Sequence, residues 1–143
     1  VSSFNEYLKV EKMDGDNRIF NDKTNKKEVA QKQLKFWSLP DVLVVTLKRF
    51  DNNNRKNQSL VDFPLEGLDL SKYIIGYDKS SYVYDLYGIC NHSGGSQGGH
   101  YTAFIKNANK KWYLFNDTNV NEVTNLAKLK GPQAYCFFYR KQK

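Results

Sequence analysis

Tyr82-Val83-Tyr84-Asp85-Leu86-Tyr87-Gly88-Ile89-Cys90 runs directly into Asn91-His92-Ser93-Gly94-Gly95-Ser96-Gln97-Gly98-Gly99 and then into His100-Tyr101-Thr102-Ala103. The first nine residues alternate over most of their length, the pattern of a half-buried strand. Four glycines among residues 91–99 predict a mobile loop. Further strands are expected at Tyr101–Lys106, Lys111–Phe115 and Tyr135–Tyr139, with a hairpin turn at Asn107-Ala108-Asn109-Lys110 and a short helix around Leu126–Lys130. Runs of strands without regular βαβ alternation define an α+β domain built on an antiparallel sheet, with few short helices.

Upstream, Pro40 leads into Asp41-Val42-Leu43-Val44-Val45-Thr46-Leu47, a β-branched and nearly continuous run that predicts a strand covered on both faces. Asp51-Asn52-Asn53-Asn54 is a turn by composition, because Asn and Asp tolerate left-handed backbone and bond their own chain. A strand is expected to return through Leu60-Val61-Asp62-Phe63-Pro64. Val29–Trp37 fits a strand or a helix, and the alternation of Leu34 and Phe36 favours the strand. Gly15–Lys27 is polar and turn-rich around the single apolar pair Ile19-Phe20, which suits a protruding hairpin tip. At the start, Ser3 and Glu6 fit a capping box for a helix reaching about Lys9.

The chain has 143 residues, enough for one domain or a large piece of one, and no second core or internal repeat is visible. Ten Tyr and nine Phe favour strands. The net charge of +7 is scattered over Lys23, Lys26, Lys27, Arg55, Lys56, Lys106, Lys110, Lys111, Arg140, Lys141 and Lys143, without the interleaved aromatics of a nucleic-acid face. Cys90 and Cys136 lie within strand-like runs and read as free core thiols of a protein in a reducing compartment. No apolar run approaches a membrane span, so the expectation is a soluble, intracellular protein, cytoplasmic or nuclear.

His100 and Asn116 are the candidates for chemistry. A general base needs a partner on its far ring nitrogen to fix tautomer and direction, and one strand, a turn and a second strand bring residues sixteen apart side by side. Asn serves this orienting role beside cysteine nucleophiles, because a thiolate–imidazolium pair needs less help from a third charge. Gly98 and Gly99, just before the imidazole, remove side chains where a substrate backbone could pass. Taken singly, His100 reads as a surface or satisfied core histidine, Phe115-Asn116-Asp117-Thr118 as an ordinary turn, and His92 as a loop residue or a substrate contact. Their joint pattern carries the reading.

That pattern resembles the histidine box of the ubiquitin-specific proteases, papain-like cysteine deubiquitinases. Leu39-Pro40 with Leu43, Val45, Leu47, Lys48, Arg49 and Phe50 resembles one family strand, Val61-Asp62-Phe63-Pro64-Leu65 a second segment, and Tyr84-Asp85-Leu86-Tyr87-Gly88 the strand before the blocking loop. Gly98–Ala103, Trp112, Phe115-Asn116-Asp117 and the segment from Ala134-Tyr135 to Phe138-Tyr139 complete an ordered series over essentially the whole chain.

The resemblance implies that residues 1–143 are the C-terminal half of a papain-like catalytic domain, its sheet forming palm and fingers. The fingers tip would lie at about 11–30 and the blocking loop at about 91–99. It makes His100 the general base, Asn116 its orienter and Asp117 an auxiliary polar residue. Gly98, Gly99, Tyr101, His92 and Ser93 would contact the C-terminal tail of ubiquitin.

Two departures stand out. The family's cysteine pair in the fingers is missing where this chain has Asn21-Asp22-Lys23-Thr24, so no zinc and no cofactor are expected. The nucleophilic cysteine of the family lies in an upstream segment, and neither Cys90 nor Cys136 has the surroundings of a reactive thiol. The expected function is thiol-dependent hydrolysis after ubiquitin's terminal glycine, with an upstream half as partner and this chain alone inactive. The alternative is a catalytically inactive ubiquitin-binding scaffold. Half a domain is also expected to expose apolar surface.

Overall fold

The computed structural model describes residues 2–78 and 81–143. Residues 2–38 and 73–78 make one unit, and residues 39–72 and 81–143 make another.

In the first unit, helix α1 (Ser2–Tyr7) starts one residue ahead of the expected cap, so Ser3 lies inside it. Its Phe4 and Tyr7 rings stand 6.3 and 5.9 Å from Phe36, and Phe4 stacks on Tyr73 at 5.9 Å. Four short strands follow: β1 (Glu11–Met13), β2 (Ile19–Asn21), β3 (Lys26–Glu28) and β4 (Ala30–Lys32). β2 and β3 form the expected hairpin, nested between the antiparallel pair β1 and β4, with Ile19 and Phe20 exposed. The hairpin turns at Asn25, which has a φ of 55°. Thr24 and Asn21 side chains both donate to the Glu28 carboxylate, in that order of influence, and hold its pKa below the ordinary value. The strand expected across Val29–Trp37 ends at Lys32. Phe36 makes only an isolated parallel bridge to Ile74.

The second unit is a seven-stranded sheet of β5 (Val42–Thr46), β6 (Leu68–Asp69), β7 (Val83–Gly95), β8 (Gly98–Lys106), β9 (Trp112–Asn116), β10 (Asn119–Val123) and β11 (Ala134–Lys141). The order is β10-β9-β8-β7-β11-β5, every neighbour antiparallel, with β6 also paired to β7. The expected helix near residue 126 is a 3-10 turn, Leu126–Leu129, capped by Asn125. One sheet face buries Tyr84, Leu86, Ile89 and Phe137, against which Phe63 packs with ring centroids 4.3 Å apart. Burial lifts the Tyr84 hydroxyl to a pKa of about 12, and it donates to the Pro40 carbonyl at 2.8 Å.

Three expectations are corrected. β5 is not covered on both faces: among the described residues its one ladder partner is β11, and Val42 and Val44 are exposed. Residues 60–64 form no strand, and the segment just before them is held by a side chain. Buried Arg49 donates from Nε to the Ala134 carbonyl at 2.6 Å and from Nη1 to the carbonyls of Asn57 and Ser59, both at 2.9 Å. Finally, residues 91–99 are not an open loop. β7 and β8 stay paired out to Gly95 and Gly98, leaving only Ser96-Gln97 as a turn.

No helix among the described residues is long and apolar enough to cross a membrane. Replacing Arg49 by Met would strip three backbone carbonyls of their donor. The expected loss of stability is about 3 kcal/mol by urea denaturation, with Arg49→Lys recovering part of it.

Candidate active site

The site stands at the end of the sheet where β8 and β9 enter and leave it. Ala103 is opposite Phe115, so the register set by the hairpin at Asn107–Lys111 carries Asn116 beside Thr102, on the same face as His100 and diagonal to it. The His100 Nε2 and Asn116 Oδ1 atoms are 2.6 Å apart. A carboxamide oxygen only accepts, so Nε2 carries the proton and donates. In the neutral ring Nδ1 is then the lone-pair nitrogen, and among the described residues no hydrogen bond reaches it.

Asp117 follows at the turn into β10 with a φ of 51°, a left-handed conformation Asp tolerates. Its Oδ2 lies 4.0 Å from Nε2. The imidazole side chain is half exposed, at 50%. An imidazole whose proton is fixed on one nitrogen and whose other nitrogen is open is the geometry of a general base.

The remaining candidates sit on the adjoining strand pair. Ser93 is directly opposite His100, and Gly98 opposite Gly95. Gly99 has a reason internal to the hairpin: a Cβ there would lie 2.2 Å from the Ser93 carbonyl oxygen and 2.5 Å from the His92 ring. A Cβ at Gly98 meets nothing.

Tyr101, 56% exposed, lays its ring 4.6 Å from His92. His92 itself is not a loop residue: it lies on β7 opposite Tyr101 and is only 4% exposed. Its Nδ1 accepts from Lys56 Nζ at 3.0 Å, and Lys56 also donates to the His92 carbonyl. Burial, and then the Lys56 charge, hold the His92 pKa below its usual value. Lys56 gave no signal in its Asn-rich turn, and Arg49 was visible only as part of a motif.

Strand alternation also sorts the thiols. Cys90 is opposite Ala103 and Cys136 opposite Cys90, which puts both on the face that Ala103 shares. His100, three residues from Ala103, faces the other way. Both cysteines are free, and burial raises the Cys90 pKa, keeping it a thiol. Among the described residues no group of three His, Cys, Asp or Glu side chains is arranged to hold a metal ion.

An imidazole oriented by an amide on an antiparallel sheet is the arrangement used by hydrolases with a thiol nucleophile. The sequence model of the ubiquitin carboxyl-terminal hydrolase family matches residues 3–139. Ubiquitin carboxyl-terminal hydrolase 9 of Arabidopsis thaliana is 40% identical over 94% of this chain, and ubiquitin carboxyl-terminal hydrolase 15 of Rattus norvegicus is 44% identical over 79% of it. The alignments span 15% and 12% of those two proteins. A chain in the SAGA Ubp8/Sgf11/Sus1/Sgf73 DUB module superposes with a TM-score of 0.82 at 33% identity, covering 99% of this chain and 32% of that one. The chain therefore belongs to the ubiquitin carboxyl-terminal hydrolase family.

Asn116 sits at the rim, so Asn116→Ala is expected to change stability by no more than about 0.5 kcal/mol. The same variant should let the His100 ring sample several rotamers, read as averaged side-chain couplings by NMR.

Proposed function

We propose that this chain is the histidine-bearing half of a papain-like deubiquitinase catalytic domain and works with an upstream segment that supplies the thiol. The hydrogen bond from His100 Nε2 to Asn116 Oδ1 is the observation that carries this reading. Membership of the ubiquitin carboxyl-terminal hydrolase family supports ubiquitin-linked amides as the substrate class.

In this mechanism His100 Nδ1 takes the proton of the incoming cysteine thiol, and Asn116 stabilises the resulting imidazolium through Nε2–H. The thiolate adds to the carbonyl carbon of ubiquitin's last glycine. Nδ1–H then protonates the departing lysine amine as the C–N bond breaks, leaving a thioester. Water, losing a proton to Nδ1, attacks that thioester, and ubiquitin leaves with a free carboxylate while the thiol is restored.

Asp117, 4.0 Å from Nε2, adds negative potential beside the imidazolium. Gly98, Gly99, Ser93 and Tyr101 would flank the tail, the β7–β8 tip acting as the blocking element. The orientation of Cys90 and Cys136 away from His100 supports a nucleophile drawn from elsewhere.

The test is hydrolysis of a ubiquitin C-terminal fluorogenic amide by this chain alone and mixed with an upstream half from a family member. Turnover only in the mixture is expected, with His100→Ala in the mixture slower by roughly 10²–10⁴. Turnover by this chain alone would overturn the assignment of an external thiol. Ubiquitin binding without turnover in the mixture would replace the enzyme by a scaffold, and neither binding nor turnover would end both readings.

A further inference from the structure

Beside the catalytic pair, the sheet carries a second cluster whose Lys56 and His92 take no step in the mechanism. His92 and Tyr101 are opposite one another, as are Ser93 and His100, so the His92–Tyr101 pair fills the side of the hairpin that His100 does not. Lys56 comes to it from the segment that starts at Phe50. That segment is held at one end by Arg49 and bridged between Phe50 and Lys56. The Phe50 ring lies 6.0 Å from His92 and Tyr135 5.8 Å from it. The ammonium thus grips Nδ1 and the main-chain carbonyl of one residue in an aromatic enclosure, one position along β7 from the partner of His100.

We propose that Lys56 and His92 are positioning residues: their contact latches the 50–57 segment to the β7–β8 hairpin and fixes the strand that presents His100, and protonation of His92 opens the latch. The role for His100 rests on the enzymatic reading above, whereas the latch itself does not.

The proton dependence follows from the donor count. Nδ1 accepts only in the neutral ring; once protonated it is a donor facing a donor. The charged groups around the ring are both cationic: Lys56 in contact, and Arg49, whose charge acts on Lys56. Among the described residues, the other titratable groups packed against it are the phenols of Tyr101 and Tyr135. No carboxylate among the described residues contacts His92 to receive the new charge.

The folded pKa is depressed below 6.5, so the folded chain binds this proton more weakly than the unfolded chain. Stability from this cluster is therefore complete above about pH 6.5 and declines as pH falls below it.

The experiment is hydrogen–deuterium exchange of the full chain from pH 8 to pH 5, corrected for intrinsic exchange, in residues 50–57 and 94–100. Both segments are expected to lose protection together as His92 protonates. Lys56→Met should raise exchange in both by about tenfold at pH 7.5. In His92→Asn the Oδ1 replaces Nδ1 as acceptor without titrating, so protection should persist and its pH dependence vanish. His100→Gln separates the only other histidine, and the pH response should survive in it.

A Lys56→Met chain that exchanges like the parent overturns the latch. So does a pH response that persists in His92→Asn or disappears in His100→Gln. None of these readouts needs turnover, so the latch can fail while the enzymatic reading stands, and the reverse.

Discussion

The pairing of β7 with β8 sets the faces on which His100, Ser93, His92 and Tyr101 stand. Side chains alternate along a strand, so slipping this pair by one residue would turn His100 to the opposite face and expose His92. What pins the register is lateral packing: the His92 ring under Tyr101, enclosed by Phe50 and Tyr135, with Gly99 leaving room for it. The hydrogen bond between His100 and Asn116 is then available because β9 folds back in register on β8. Packing on one face thus determines the chemistry offered by the other.

Much of this was legible in residue order. The alternation of Tyr82–Cys90 survives as β7, and the strands around Tyr101, Trp112 and Tyr135 are where periodicity puts them. The errors share a cause. A β-branched run such as Val42–Thr46 has the same composition at a sheet centre and at an edge, and only the neighbour order distinguishes them. Glycine content suggested a loop at 91–99, yet the cross-strand contacts of His92 hold the same residues in a hairpin. Residues 60–64 have the composition of a strand but follow a segment that Arg49 holds at Asn57 and Ser59, and Arg49 also reaches the Ala134 carbonyl, 85 residues away. β10, with the polar sequence Asn119-Val120-Asn121-Glu122-Val123, has only weak alternation and is held by pairing to β9.

The candidate site divides the same way. His100 and Asn116 could be paired from sequence because one hairpin separates them. Lys56 and His92 could not, since their contact joins two segments 36 residues apart through no local pattern. Family membership adds a boundary condition: the chain corresponds to 15% and 12% of the two curated relatives described above. Under the proposed function, a base and its orienter without a thiol on the same face would form part of a larger catalytic assembly.

The central claim is that Asn116 holds the proton of His100 on Nε2 and leaves Nδ1 to accept. Long-range ¹H–¹⁵N correlation of the ¹⁵N-labelled chain at a pH where the imidazole is neutral reads both nitrogens of His100 directly. The account predicts a protonated, slowly exchanging Nε2 with a through-space contact to the Asn116 side chain, and an unprotonated Nδ1. A proton resident on Nδ1, or an Nε2–H that exchanges as freely as in a short peptide, would contradict it.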